Sequence, residues 1–167
     1  MTQSLIFNRR GLLTGAGAFA LSACAPEPVE AGEGQHAASP YRRIPEAEWR
    51  RRLGDAAWTV MRREGTERPY TSPLNDEHRS GTFICKGCDL PLFRSGWKFD
   101  SHTGWPSFYQ VIADNIGRKR DFAIGIPRTE YHCARCLGHQ GHVFNDGPRP
   151  TGLRYCNNGV ALKFVPA

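Results

Sequence analysis

The sequence predicts a mainly β domain with two short helices in front of it. Three observations carry that prediction. The chain has 18 Gly and 12 Pro among 167 residues, which favours short elements and many turns over a helical bundle. Short apolar runs separated by turn residues follow Pro73. Two Cys-x-x-Cys pairs each stand at the end of a predicted strand.

Length and composition bound the rest. A chain of 167 residues suits one domain with a short appendage and can bury a real core. A hydrophobic content of 40% with mean hydropathy −0.51 excludes a multispanning membrane protein and a fully disordered chain. Six cysteines, of which only Cys24 lies outside 85–156, are too few for a disulfide scaffold.

The first 40 residues read as an address. Arg9 and Arg10 abut an uncharged stretch at 11–23. Thirteen residues are too few for a bilayer, which needs about 20, but they fit the apolar region of a signal peptide. The Arg pair resembles a twin-arginine export signal, and Leu21-Ser22-Ala23-Cys24 resembles a lipobox whose Cys becomes the lipidated N-terminus. A mildly apolar disordered tail is the plainer alternative. Removal of residues 1–23 would leave 20 basic against 16 acidic residues, too small a surplus to imply nucleic acid. Residues 24–40 hold no large apolar side chain except Val29, and read as a disordered tether between the anchor at Cys24 and the domain. The expected location is the cell envelope or periplasm of a bacterium, on a membrane by that anchor, as a monomer.

The domain is expected over 41–167. Residues 45–53 begin with Pro and acids and end with basic residues before Gly54, an order that complements the helix dipole. Asp55 can cap a second helix, through Arg63, stopped at Gly65. Arg50, Arg51 and Arg52 read as a solvated helix face. Strands are expected at 82–84, 90–93, 122–126, 142–144 and 161–164, with no repeat and no second domain.

Cys85 and Cys88, with Cys133 and Cys136, form the two Cys-x-x-Cys pairs, 44 residues apart. Such turns each aim two sulfurs at one point, and together they complete a tetrahedron suited to one structural Zn²⁺. Lys86 and Arg135 can offset the net negative charge, and Gly87 is expected to allow a tight turn. Redox dithiols and structural disulfides are the competing readings.

Cys156 follows Arg154 by two residues, so on a strand both share a face, with Asn158. A lone Cys is by default a small buried hydrophobe. Here the adjacent cation is expected to lower the thiol pKa, and Asn158 to hold a polar substrate group or a water. Upstream, His139 and His142 are candidate proton donors and Asp146 a candidate to orient one of them. They are otherwise a metal-ligand pair or ordinary loop histidines. Trp105 and Phe108 flank Pro106 and Ser107 as a rigid apolar wall, which is either core or the seat of a small apolar group.

The stretches CKGCDLPLF, KFDSHTGWPSFY and YHCARCLGHQGHVFNDGPRPTGLRYCNNGVAL, in this order and spacing, resemble the type B methionine sulfoxide reductases, over roughly 44–165. The resemblance implies two antiparallel sheets in a tent-like arrangement, a structural zinc remote from the active site, and reduction of the R epimer of peptide methionine sulfoxide. It implies Cys156 as nucleophile, His139, His142 and Asn158 on the polar side, Arg154 supporting the thiolate, and Trp105 on the substrate methyl. It also implies that a histidine protonates the departing oxygen, that Cys156 is left as a sulfenic acid, and that a thioredoxin-like protein or small thiol reduces it. Many members carry a resolving Cys immediately before GWPSF, where this chain has Thr103. Gln140 and Asn145 stand where Leu and Asp are more usual, and Asn145 is expected to weaken or retune the histidines. The competing readings are a zinc-stabilised lipoprotein that binds peptides or partners without chemistry, and a thiol oxidoreductase using a metal-free Cys-x-x-Cys pair.

Overall fold

The computed structural model describes residues 31–167; the expected signal peptide, the lipobox and residues 24–30 of the tether lie outside the described residues. The chain forms two antiparallel sheets. The smaller runs in the order β2 (Pro91–Arg94), β1 (Gly81–Cys85), β9 (Leu162–Pro166). The larger runs β3 (Lys98–Phe99), β4 (Ser107–Phe108), β8 (Arg154–Asn157), β7 (His139–Phe144), β6 (Arg128–Cys133), β5 (Ile116–Asp121). The mainly β fold with two antiparallel sheets is therefore as expected.

Aromatic side chains lock the sheets together. Phe93 of β2 stacks on Phe108 of β4 with ring centroids 4.0 Å apart, and meets Tyr131 of β6 and Tyr155 of β8 edge-on at 6.3 Å. Phe83 of β1 meets Phe108 at 4.9 Å. All five are buried. Offset and edge-on contacts of this kind add about 0.5–1.5 kcal/mol per pair to the burial itself.

Among the described residues two α-helices precede the sheets, the short α1 (Ala31–Gln35) and a longer one. Residues 46–63 form α2 (Glu46–Arg63), broken at Gly54, whose φ of 74° and ψ of 163° are not helical. The two helical segments expected on either side of Gly54 are thus present, and Glu46 on the first accepts hydrogen bonds from Trp58 and Arg62 on the second. Trp49, Leu53, Ala57, Val60 and Met61 form the buried face. Arg50 pairs with Asp55, and Arg51 and Arg52 with Glu48, all with exposed guanidinium groups. Such pairs contribute little to stability.

Two local expectations differ from the structure. Residues 122–126 are not a strand: they form the turn of the β5–β6 hairpin, with Phe122, Ile124 and Ile126 exposed. The strand lies just before it, at β5, an edge strand whose middle positions Arg118, Lys119 and Arg120 are charged and exposed. Charged side chains protect a sheet edge, and they also erase the apolar alternation by which a strand is read. Secondly, α1 (Ala31–Gln35) forms within the expected tether. It docks by polar contacts, with Arg42 Nη2 donating to Glu33 O at 2.9 Å and to Ala134 O at 2.7 Å. A Cβ at Gly32 would lie 2.6 Å from Asp114 O, so glycine permits the approach. The absence of large apolar residues gave no sign of such docking.

Candidate active site and metal centre

Four cysteines placed to hold a metal bring the two sheets together. Cys85 ends β1 of the small sheet, and Cys133 ends β6 of the large one. With Cys88 and Cys136 they bring four buried sulfurs within 4.8 Å of one another. Cys85 Sγ lies 3.6 Å from Cys136 Sγ, and Cys88 Sγ 3.4 Å from Cys133 Sγ. A tetrahedral ion with metal–sulfur bonds of about 2.3 Å sets its sulfurs about 3.8 Å apart, so the four fit one ion with no open position. Arg135 donates to Cys88 O at 3.1 Å and Arg62 to Cys136 O at 3.2 Å, placing positive charge beside the thiolates.

Gly87 has a different reason from the one expected. The left-handed residues at the two turns are Asp89 (φ 60°) and Leu137 (φ 58°), each one beyond the second Cys. Gly87 instead gives α2 room: a Cβ there would lie 3.2 Å from Met61 Cε and 3.3 Å from Trp49. Gln140 is fully buried against the same centre, its Nε2 3.7 Å from Cys85 Sγ.

Cys156 sits elsewhere, in the middle of the large sheet. Register pairs it with Ser107 on β4 and with His142 on β7. Directly paired residues share a face with Cβ atoms about 4.5–5.5 Å apart, so Cys156 and His142 face one pocket. That pocket has a volume of about 180 Å³ and is lined by Thr66, Trp105, Arg128, His142, Phe144 and Cys156 among others. It is below the range of about 300–1,000 Å³ that accommodates drug-sized ligands, and suits a single side chain.

The thiol is not activated as the sequence suggested. Burial pushes the Cys156 pKa up, and the opposing charge of Arg154 and a hydrogen bond from Thr103 only partly offset it. The resting group is therefore a thiol. Burial also pushes His142 below the ordinary histidine value, assisted by Arg128 and His139 and opposed by the hydrogen bond with Asp121. A protonated thiol beside a neutral imidazole is a pair between which a proton can pass.

Three further assignments change. Asp146 does not orient a histidine; its carboxylate takes two hydrogen bonds from Arg154, from Nε and Nη2, both at 2.8 Å. The orienting carboxylate is Asp121, whose Oδ2 lies 2.7 Å from His142 Nε2. Its carboxyl is held far below the usual range by the Ala123 N–H, then His142, with Arg128 adding to both. Phe108 is not a pocket wall but fully buried core, as its stacking on Phe93 requires. Asn145 is exposed, so Asp121 rather than position 145 sets the charge beside His142.

The other expected residues are drawn together. Trp105 lines the pocket with its Nε1 donating to Glu67 O at 3.1 Å. Arg154 is buried, with its guanidinium 4.4 Å from the Phe144 ring centroid. Asn158 lines the pocket, but its amide is engaged: Oδ1 accepts from Glu67 N at 3.0 Å and Nδ2 donates to Gln140 O at 3.0 Å. It thus ties the loop carrying Thr66 and Glu67 to the floor of the pocket. Asp121 and Glu67 escaped the sequence reading, since each acts on pocket residues from a distant strand end or loop, Asp121 on His142 and Glu67 on Trp105 and Asn158. His139 lies buried beside His142, with ring centroids 5.4 Å apart.

Comparison with known proteins agrees with this geometry. The SelR domain matches residues 53–166. The chain is 55% identical over 120 residues to a peptide methionine sulfoxide reductase MsrB of Pseudomonas putida, covering 71% of this chain and 90% of that protein. It is 50% identical over 122 residues to the MsrB of Bradyrhizobium diazoefficiens, covering 72% and 88%. It is 45% identical over 143 residues to the chloroplastic peptide methionine sulfoxide reductase B1 of Arabidopsis thaliana, covering 85% and 70%. With both sheets, the four-cysteine centre and the matched segment in agreement, the chain belongs to the SelR domain family.

Proposed function

We propose that the chain reduces the R epimer of peptide-bound methionine sulfoxide to methionine. The observation that carries this is Cys156 opposite His142 in a one-side-chain pocket, within a SelR domain. Trp105 and Phe144 supply apolar surface for the methyl group; His142 and Arg128 supply the polar side for the oxygen. His142, neutral at rest, takes the Cys156 proton as sulfur attacks sulfur, and Asp121 holds the imidazolium that forms. The histidine returns that proton to the oxygen. The oxygen then passes from the methionine sulfur to Cys156: the transient S–S bond and the sulfoxide S–O bond break as the Cys156 S–O bond forms, the methionine thioether leaves, and Cys156 is left as a sulfenic acid. One thiol plus one sulfoxide thus gives one sulfenic acid plus one thioether. An external thiol, a thioredoxin-like protein or a small thiol, then forms a mixed disulfide with loss of water, and a second thiol frees Cys156.

The ion at the four-cysteine centre is zinc in this reading, because four buried sulfurs in a closed tetrahedron suit it. The assay is purified protein on each epimer with dithiothreitol. The R epimer is reduced and the S epimer is not; reduction of the S epimer, or of neither, overturns the proposal. His142→Ala slows single-turnover reduction by about 10²-fold, and an unchanged rate removes His142 from the chemistry.

The chain also reads as an exported monomer, anchored through lipid at Cys24 in a bacterial envelope. Arg9-Arg10, the uncharged 11–23 stretch and the lipobox-like Leu21 to Cys24 support this. Intact mass of the native protein tests it: loss of residues 1–23 with acylated Cys24 is expected, and a retained Met1 with unmodified Cys24 refutes it.

A further inference from the structure

Glu130 stands in the row that carries the pocket. Register pairs Cys156 with His142 and His142 with Glu130, so three adjacent strands present these side chains on one face. Glu130 is only 2% exposed, and the chemistry above leaves it without a role. Both of its oxygens are engaged by histidines. Oε1 lies 2.6 Å from His139 Nδ1, and Oε2 lies 3.0 Å from His132 Nδ1. The opposite nitrogen of His132, Nε2, lies 2.7 Å from Glu33 Oε1 on α1. The chain of contacts therefore runs from α1, outside the matched segment 53–166, to the histidine beside His142.

Two features show that the path is built. A Cβ at Gly117 on β5 would lie 2.2 Å from Glu33 Oε1 and 2.5 Å from His132 Nε2, so only glycine leaves room for that pair. Arg42 fixes α1 from the other side, through Glu33 O and Ala134 O. At the far end, His139 Nε2 is buried and has no hydrogen-bond partner among the described residues. A buried polar atom normally has a partner, so an acceptor left free beside the pocket is a site for an arriving donor.

We infer that Glu130 is a positioning residue for the reaction: by holding His139 at Nδ1 it fixes the tautomer whose lone pair is on Nε2, with Glu33 bracing Glu130 through His132. This rests on the reading of Cys156 and His142 as the reacting pair. A carboxylate accepts hydrogen bonds and cannot donate one, so the His139 nitrogen facing it carries the proton. The free Nε2 then accepts from a water at the edge of the pocket, whose other hydrogen reaches the sulfoxide oxygen. That water steadies the oxygen while His142, held by Asp121, delivers its proton. Partners that orient a metal-bound imidazole through its second nitrogen alter affinity or activity by about 10–100-fold when removed, and an effect toward the low end of that range is expected here.

The test uses the full chain with its metal bound and selectively ¹⁵N-labelled histidine. Long-range ¹H–¹⁵N spectra report which nitrogen of each imidazole carries the proton. Wild type is expected to show His139 protonated at Nδ1. Glu130→Gln, whose amide can donate into Nδ1, is expected to move the proton to Nε2 and to slow single-turnover reduction about tenfold, with KM nearly unchanged. Glu33→Gln keeps the buried core intact and serves if Glu130→Gln does not fold; it is expected to yield a mixture of both His139 tautomers and a loss of about threefold. A wild-type His139 protonated at Nε2, or tautomers unchanged in the folded variants, overturns the inference. The tautomer is read without any turnover, so a wild-type protein inactive on both epimers would sink the proposed function while leaving this result standing.

Discussion

Cys156→Ser is expected to reduce neither epimer, with single-turnover rates lowered by at least about 10⁴-fold, as removal of an attacking nucleophile generally does. The substitution is small, and a hydroxyl takes the place of the thiol without leaving a void or removing Arg154 from its pair with Asp146. Loss of activity should therefore come without loss of fold, which circular dichroism would verify. A serine hydroxyl has neither the nucleophilicity of sulfur nor the capacity to carry the transferred oxygen. The same experiment extends to wild type. After one equivalent of sulfoxide without reductant, Cys156 should carry a dimedone-reactive sulfenic acid. The described residues contain five cysteines, and four of them form the buried four-cysteine cluster. Thr103, whose hydroxyl is bonded to Ser101, stands where a resolving thiol would be needed. Activity in Cys156→Ser would end the scheme; a disulfide between Cys156 and another residue of the chain would end the dependence on an external thiol.

Which parts of this site were legible in the sequence follows from the range of the interactions involved. The four-cysteine cluster and the meeting of Cys156, His142 and Trp105 in one pocket were legible because each residue sits in a short motif whose spacing reports local geometry. The helix break at Gly54 was legible for the same reason. Asp121 was not, because it stands 21 residues from His142 and meets it only through the β5–β6–β7 pairing. Asp146 looked like the partner because it is four residues from His142 in sequence, yet past the end of β7 it turns to Arg154 instead. Phe108 sits on a strand of only two residues, too short for alternation to show that it faces the small sheet. The thiol pKa was misjudged in the same way. An adjacent Arg is visible in a sequence, whereas burial is a property of the whole fold and here outweighs it.

Removing the metal should have the largest effect on stability. The four sulfurs join β1 of the small sheet to β6 of the large one, and α2 packs Trp49 and Met61 directly over the turns. Binding energy at such centres is folding energy, about 10–16 kcal/mol for isolated zinc-finger peptides near neutral pH. Whole domains are stable by only about 5–15 kcal/mol, so the two quantities are comparable. The aromatic core between the sheets does not depend on the ion, and some residual structure is expected to survive its loss. Even a loss of about 5 kcal/mol would lower the melting temperature by about 10–20 °C in a chain of this size. Cys133→Ser replaces one of four thiolates by a weaker ligand and leaves three buried sulfurs around a void. It should therefore melt at least about 10 °C below wild type, lose metal on dialysis and express poorly. Cys156 is not among the ligands, so any variant that remains folded should keep its single-turnover chemistry. Elemental analysis and thermal melts decide the matter: one zinc per chain is expected, and a metal-free protein with wild-type melting temperature and activity would exclude a structural metal.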